Sequence, residues 1–127
     1  IMVDLDNFKE INDVKGHSFG DDVLKETARV INECFGENSI CSRFGGDEFI
    51  IFVMDEPIRN VECRIDELMQ RLEKDITRIE PPVSGSAGIG GRVAEQDDFE
   101  ELFNRADNAM YMAKKSGKNR YFIDRIG

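Results

Sequence analysis

The feature that most constrains this fold is a pair of predicted strands, the second of them the most apolar in the chain, that flank Gly45-Gly46. The strands cover 40–44 and 48–54, and glycine tolerates the positive φ of a tight hairpin turn. The middle of the chain is therefore predicted to form a hairpin, with Asp47 and Glu48 at or just after its tip. Acidic side chains beside so apolar a strand have a desolvation cost unless a cation or a donor compensates it.

Hydrophobic periodicity predicts the other elements. Short apolar runs predict strands at 1–5, 83–89 and 120–123. Apolar stripes at helical spacing predict helices at 19–35, 61–79 and 99–113. The segment 7–20 is interpreted as a loop that holds one helical turn. Gly36, Pro81-Pro82 and Gly117 suit the ends of the three helices.

The order of these elements predicts the fold class. The series β-α-β-β-α-β, followed by a helix and a strand, is typical of the split βαβ arrangement of ferredoxin-like sheets. We therefore expect an α+β sandwich with a central, mostly antiparallel sheet flanked by helices. The length of 127 residues suits a single domain over 1–127.

Composition excludes several classes of function. The net charge is −9, which argues against a protein that binds duplex nucleic acid. No apolar run approaches the roughly 20 residues of a membrane-spanning helix, so this domain is expected to make no membrane contact. The cysteines, Cys34, Cys41 and Cys63, form no CxxC pair, which favours reduced thiols in a cytoplasmic protein.

Two groups of acidic residues are candidates for a metal site. Asp4 and Asp6 stand at i and i+2 of the first strand, so they project to one side and can share a divalent ion. A solvated strand end is the ordinary alternative. If the first strand neighbours the hairpin, Asp4 and Asp47 could hold one Mg²⁺ that bridges phosphate oxygens.

Basic and amide side chains are candidates for the rest of a phosphate or nucleotide site. Lys9 and the pair Lys114 and Lys118, four residues apart on a helical face, could hold phosphate. Cations in a last helical turn also stabilise the helix dipole without a ligand. Asn12 and Asp21 could read a base edge, although a turn and a helix N-terminus explain them as well.

Taken together, the motifs resemble those of GGDEF-domain diguanylate cyclases. The resemblance is carried by DLDNFKEIND at 4–13, GHSFGD at 16–21, RFGGDEF at 43–49, SAG at 86–88 and the helix and turn at 106–120. It runs from residue 1 to about 123 in order and at suitable spacings. The fold it implies is related to the nucleotidyl cyclase and polymerase palm folds.

The resemblance implies a reaction and a set of residues. Two domains would meet as a homodimer through their active-site faces, each with one GTP, and form cyclic di-GMP and two pyrophosphates. Mg²⁺, or Mn²⁺ as the alternative ion, would be bound by Asp4, the Leu5 carbonyl, Asp47 and Glu48. Glu48 has two open roles, binding a second ion or assisting deprotonation. The catalytic residues would be Asp47, Glu48 and Lys9, and the substrate would be held by Phe8, Lys9, Asn12, Asp21, Lys114 and Lys118.

The chain departs from the family pattern at three places. An inhibitory product site with the pattern Arg-x-x-Asp is replaced by Gly36 and Ser39, which predicts no strong product inhibition there. Lys118 stands where arginine is commoner. The family's N-terminal L-T-G-L-x-N-R segment and its helix are absent, so we expect a fragment of a longer bacterial signalling protein. Its parent would carry an upstream sensory or dimerising module, and membrane attachment of that parent is left open by the sequence.

Two other functions remain open from the sequence. The first is a regulatory module that binds GTP and no longer catalyses, although the intact Asp47-Glu48 pair speaks against it. The second is a metal-dependent glycosyltransferase that uses the Asp-x-Asp pair alone. That interpretation leaves the glycine hairpin and the two C-terminal lysines unexplained.

Overall fold

The computed structural model describes residues 1–75, 83–92 and 95–124. The strands are β1 (Met2–Leu5), β2 (Ser39–Gly45), β3 (Glu48–Val53), β4 (Gly85–Gly90) and β5 (Arg120–Asp124). The helices are α1 (Phe8–Lys15), α2 (His17–Phe35), α3 (Ile58–Asp75) and α4 (Phe99–Lys115). No helix in these ranges is both long and apolar enough to cross a bilayer.

The five strands form one mixed sheet in the order β2-β3-β1-β4-β5. The β2–β3, β3–β1 and β1–β4 pairs are antiparallel, and β4–β5 is parallel. The parallel pair requires a crossover connection, which α4 supplies. The predicted α+β class and mostly antiparallel sheet are confirmed.

The core lies on both faces of the central strand β1. Val3 and Leu5 face the main cluster, which contains the buried residues of α2 and α3. Met2 faces the other way and packs against Ala106 and Met110 of α4. Successive strand residues point to opposite faces, so Asp4 shares the α4 side with Met2.

The prediction of a loop over 7–20 is wrong. Phe8 and Ile11 are buried at helical spacing, so the segment forms α1, and α2 begins two residues after α1 ends. Gly16, with φ of 92°, separates the two helices, a backbone conformation that suits glycine. The polar Asn12-Asp13 pair resembles turn chemistry, but Asn12 lies one helical turn after Phe8 with its Oδ1 atom buried, and Asp13 is exposed.

The hairpin forms as predicted, but its turn differs. Among the described glycines only Gly16 and Gly117 have positive φ, so neither Gly45 nor Gly46 uses the left-handed region. The chain reverses at 46–47, the register of β2 and β3 shifts between Arg43 and Gly45, and Arg43 Nε donates to the Gly46 carbonyl at 3.0 Å.

The predicted helix ends have mixed outcomes. Gly36 caps α2, but with right-handed φ and ψ of −53° and −43°; Asn38 takes the left-handed conformation. Gly117 follows α4 with φ of 121°, as expected of a glycine stop. Pro81-Pro82, and the predicted last turn of the third helix at Ile76 and Ile79, lie outside the described residues.

Candidate functional site

The end of β1 and the β2–β3 hairpin meet at one edge of the sheet. Asp4 is the register partner of Glu48, and the Leu5 amide donates to the Asp47 carbonyl at 3.1 Å. This pairing brings Asp4, Asp47 and Glu48 together, as the motifs predict. The arrangement depends on β1 lying beside β3, which no local pattern in either strand specifies.

Asp4 is the most perturbed of these acids. Burial raises the pKa of Asp4 to about 7, the Lys114 ammonium opposes this rise, and the carboxylates of Asp47 and Glu48 add to it. Its Oδ1 atom is buried without a hydrogen-bond partner. A buried, unpartnered carboxylate oxygen beside a second carboxylate is a suitable ligand for a divalent cation.

Some, but not all, of the residues predicted to bind metal are placed as ligands for such an ion. Asp4, Asp47 and the Leu5 carbonyl supply oxygen ligands, which Mg²⁺ prefers. Within the described ranges, no three His, Cys, Asp or Glu side chains converge into a metal-binding group. The candidate centre is therefore a carboxylate pair with one carbonyl, and Glu48 stands beside it in register.

Asp6 has a different environment from Asp4. Its side chain is fully buried and accepts hydrogen bonds from Ser84 Oγ at 2.7 Å, Ser86 Oγ at 2.6 Å, Lys114 Nζ at 2.9 Å and the Asn119 amide at 2.9 Å. Burial alone would raise the pKa of Asp6, but these four donors hold it below its usual value. We call these five residues the Asp6 cluster. The interpretation that Asp6 shares an ion with Asp4 is wrong, because its lone pairs are already used.

Lys114 connects the Asp6 cluster to the candidate metal centre. Its Nζ atom lies 3.4 Å from the Leu5 carbonyl oxygen and 3.7 Å from Asp4 Oδ2, in addition to its bond to Asp6. The structure thus places a cation beside the carboxylate pair, where a phosphate group bound to the same ion would need one.

Lys118 also lies at this edge of the sheet, but in a turn after α4 and not on the helix as predicted. Helix α4 ends at Lys115, so Lys118 does not share a helical face with Lys114. Lys118 and Asn119 adopt left-handed φ of 64° and 48°, and the Lys118 amide donates to the Ala113 carbonyl at 3.1 Å. This turn directs Lys118 Nζ to Asn7 Oδ1 at 2.9 Å.

The predicted base-reading residues lie together on α1 and α2. Asn12 Oδ1 is buried and has no hydrogen-bond partner, and it packs over Gly20, directly before the exposed Asp21. A Cβ atom on Gly20 would lie 1.7 Å from Asn12 Oδ1, so only glycine leaves room for Asn12. Phe8 is buried beside this contact, whereas Lys9 is exposed at the start of α1.

Two surface grooves are formed by the described residues. A groove of about 440 Å³ lies between α2 and β2 and includes Asp21, Lys25 and Arg43, so it adjoins the base-reading side. A larger groove of about 770 Å³ lies between β3, the start of α3 and α4. It is lined mainly by apolar side chains, including Phe52 and Phe99, and lies away from the acidic edge.

Sequence reasoning missed the residues that support the site. Ser84, Ser86 and the Asn119 amide bind Asp6, and Gly20 accommodates Asn12. A glycine inside the predicted second helix was the available signal for Gly20, because glycine weakens a helix interior. Nothing in the local sequence marks the two serines or Asn119 as partners of residue 6.

Comparisons with known proteins agree with this geometry. The family model described as "Diguanylate cyclase, GGDEF domain" matches residues 1–120. Diguanylate cyclase DgcM of Escherichia coli is 32% identical over 94% of this chain and 29% of its own length. Cyclic di-GMP phosphodiesterase PdeR of the same organism is 33% identical over 97% of this chain and 19% of its own length.

A solved structure supports the same relationship. The active GGEEF domain of a diguanylate cyclase from Vibrio cholerae superposes with a TM-score of 0.85 at 28% identity, over 99% of this chain and 81% of that chain. The mixed five-stranded sheet and its four helices match the fold of that solved GGEEF domain. The chain belongs to the GGDEF family of diguanylate cyclase domains, and the resemblance of its motifs to that family is confirmed.

Proposed function

We propose that this domain condenses two molecules of GTP into cyclic di-GMP with release of two pyrophosphates. One observation carries the proposal: Asp4, whose Oδ1 atom is buried and unpartnered, lies beside Asp47, and the Lys114 ammonium is 3.7 Å from Asp4 Oδ2. Two carboxylates and a cation at one point suit a divalent ion that bridges phosphate oxygens. Relatives that carry the family's domain include the cyclase DgcM.

The chain's own residues have distinct parts in this proposal. Asp4, the Leu5 carbonyl and Asp47 would hold Mg²⁺, with Mn²⁺ as the alternative, and the ion would neutralise charge on the phosphates when bound. Lys114, Lys118 and the exposed Lys9 would hold the triphosphate. Catalysis would depend on positioning and electrostatics more than on covalent chemistry.

The base would be selected on the other side of the site. Asn12 has an unsatisfied buried acceptor and Asp21 an exposed carboxylate. Guanine presents N–H donors that such acceptors satisfy, and a site with unpaired buried polar groups rejects a base that cannot pair with them. Phe8, buried at the start of α1, would support this pocket and its main chain would approach the phosphates.

Each domain would hold one GTP, and the 3′-hydroxyl on one would attack the α-phosphate on the other. The acting form is therefore a homodimer through the acidic edge. Glu48, beside Asp4 in register, would bind a second ion or assist removal of the hydroxyl proton.

The domain would act within a longer protein. The chain spans 19% and 29% of PdeR and DgcM, so we propose that 1–127 is one GGDEF domain under the control of an upstream sensory or dimerising module. GTP as substrate and three free cysteines suit a cytoplasmic domain.

The test is incubation of the purified chain at high protein concentration with GTP and Mg²⁺, with product analysis by mass spectrometry. We expect cyclic di-GMP and pyrophosphate in a ratio of one to two. Release of inorganic phosphate and GDP instead would contradict the proposed reaction.

The similarity to PdeR, whose name describes a phosphodiesterase, favours one second candidate. This is a module that binds GTP and regulates another domain without turnover. GTP binding without product, when the chain is fused to a dimerising segment, would support it over the cyclase.

A further inference from the structure

The proposed reaction assigns no role to the Asp6 carboxylate at the centre of the Asp6 cluster. A carboxylate two residues after a metal ligand is buried and bound by four donors, one of which is the lysine beside that ligand. Such a fully satisfied buried carboxylate rigidifies its neighbours. What it rigidifies here includes a group that is proposed to contact substrate.

We propose that Asp6 is a positioning residue whose buried carboxylate holds the Lys114 ammonium beside Asp4 and the Leu5 carbonyl, ready for the triphosphate of a nucleotide. The inference rests on the proposed function and adds a residue to its site. It also assigns different tasks to the two acids of the Asp-x-Asp pair. Asp4 binds the ion, and Asp6 orients the lysine.

The hydrogen-bond inventory of Asp6 supports this assignment. An ionised carboxylate offers about four lone-pair sites, and Asp6 accepts from two serine hydroxyls, one ammonium and one backbone amide. A metal ion bound to Asp6 would have to displace one of these donors. Because the side chain is fully buried, the displaced donor would be left without water to replace the bond.

The geometry of Lys114 supports the second half of the proposal. Its bond to Asp6 is short, at 2.9 Å, whereas its distances to the Leu5 carbonyl and Asp4 Oδ2 are 3.4 and 3.7 Å. Lysine has three N–H donors on a flexible stem. The bond to Asp6 fixes the ammonium, and the two longer contacts are the ones that phosphate oxygens can replace.

The hydrogen bond between Asp6 and Lys114 lowers the entropic cost of binding a phosphate group. Ordering a free lysine side chain costs rotamer entropy. In this structure Asp6 orders Lys114 before any ligand arrives. The expected consequence is tighter binding of the phosphate part of a nucleotide, with no effect on the base.

The experiment is a double-mutant cycle on ligand binding. Affinities for guanosine and for a GTP analogue whose α- and β-phosphates are joined by a non-cleavable methylene group, which stands for GTP in this experiment, are measured by calorimetry with Mg²⁺ present for the wild type, Asp6→Asn, Lys114→Gln and the double variant. We expect Asp6→Asn to weaken GTP binding by about tenfold and to leave guanosine binding unchanged. In the Lys114→Gln background, Asp6→Asn should cause no further loss.

Matched variants control for charge. Lys115→Gln removes the same charge from the neighbouring residue, whose ammonium lies over the Tyr111 ring, and Asp22→Asn removes an exposed carboxylate from α2. Both should leave the ratio of GTP to guanosine affinity unchanged. If Asp6→Asn fails to fold, Ser86→Ala removes one donor to Oδ1 and should weaken GTP binding by about threefold.

Three results would overturn the inference. The first is full GTP affinity in folded Asp6→Asn, and the second is additive loss in the cycle. The third is a rise in the Mg²⁺ concentration needed for binding equal to that of Asp4→Asn, which would make Asp6 a metal ligand. Because binding is measured without turnover, a chain that binds GTP but forms no cyclic di-GMP contradicts the proposed reaction and still decides the role of Asp6.

Discussion

At the scale of single residues, the family resemblance assigned Asp4 but not Asp6 to the expected metal site, whereas the spacing of the two acids alone left their roles open. Local signals predict Asp4 at a strand end and Asp47 at a hairpin tip, but the two acids come together only because β1 pairs with β3. Asp6 looks equivalent to Asp4 in the sequence. Its donors lie 78 to 113 positions further along the chain, and no spacing rule connects positions so far apart.

Asp47→Ala tests the acidic edge. Removal of one carboxylate of the pair should abolish cyclic di-GMP formation while thermal unfolding changes little, because Asp47 lies in the turn between β2 and β3 and outside the core. Product formation and the unfolding midpoint are measured together. Asp22→Ala, on the exposed side of α2, is the control, and near-normal turnover by folded Asp47→Ala would refute the assignment.

Gly20→Ala tests the base-reading side. The new Cβ atom would occupy the place of Asn12 Oδ1, 1.7 Å away, so the Asn12 side chain must move. We expect the preference for GTP over ATP to fall by about tenfold or more, since a bidentate polar contact to a base is worth about 1–3 kcal/mol. Competition binding with the two nucleotides measures this preference.

The comparison with Asn12→Ala sharpens that test. In Asn12→Ala, the added methyl group at residue 20 no longer meets an asparagine, and its remaining close contact is Phe8 Cζ at 3.2 Å, which a small shift of the ring relieves. The double variant should therefore show no further loss of base preference. A second loss in the double variant would mean that Gly20 acts on something other than Asn12.

At the scale of elements, the sequence predicted strands and helices well and their contacts poorly. The small-residue strand at 83–89 was identified, but its glycines gave no indication of which helix would approach them. Gly88 and Gly90 face α4, where a Cβ atom on Gly88 would lie 2.0 Å from the Ala106 carbonyl oxygen. The backbone of α4 therefore packs directly on β4, which side chains on β4 would prevent.

Gly88→Ala should destabilise the domain through this contact. Both nearest atoms belong to helix backbone, which cannot rotate away as a side chain can, so α4 must shift as a whole. We expect a loss of about 2–3 kcal/mol in the free energy of unfolding, measured by urea denaturation. Gly91→Ala is the matched control, because its Cβ atom would meet only Ile58 Cδ1 at 3.8 Å, and an equal loss there would contradict the packing argument.

At the scale of the whole molecule, the order of elements was enough to predict the sheet. Ferredoxin-like connectivity leaves few ways to arrange four strands, and the fifth follows from the right-handed crossover through α4. The order of elements does not show that the end of β1, which carries Asp4, lies next to the turn that follows α4. That proximity follows from β1 lying at the centre of the sheet, beside β4.

Product inhibition of the whole domain should depend on positions 36 and 39, where this chain has Gly36 and Ser39 in place of the family's Arg-x-x-Asp pattern. Gly36 caps α2, and the buried Ser39 Oγ has no hydrogen-bond partner, so neither supplies a cation or a carboxylate for a product phosphate or base. Initial rates of GTP consumption should therefore be unchanged by cyclic di-GMP at low micromolar concentration. A dose-dependent fall in the rate would show that another surface binds the product.

The long reach of the Asp6 contacts has a consequence for synthesis on the ribosome. The carboxylate at residue 6 leaves the exit tunnel early, whereas Lys114 and Asn119 emerge only after nearly all of the domain has been made. During that interval the acid must remain hydrated or find temporary partners, because its native donors do not yet exist. A nascent chain thus completes the Asp6 cluster in a late step, when the turn after α4 reaches the end of β1.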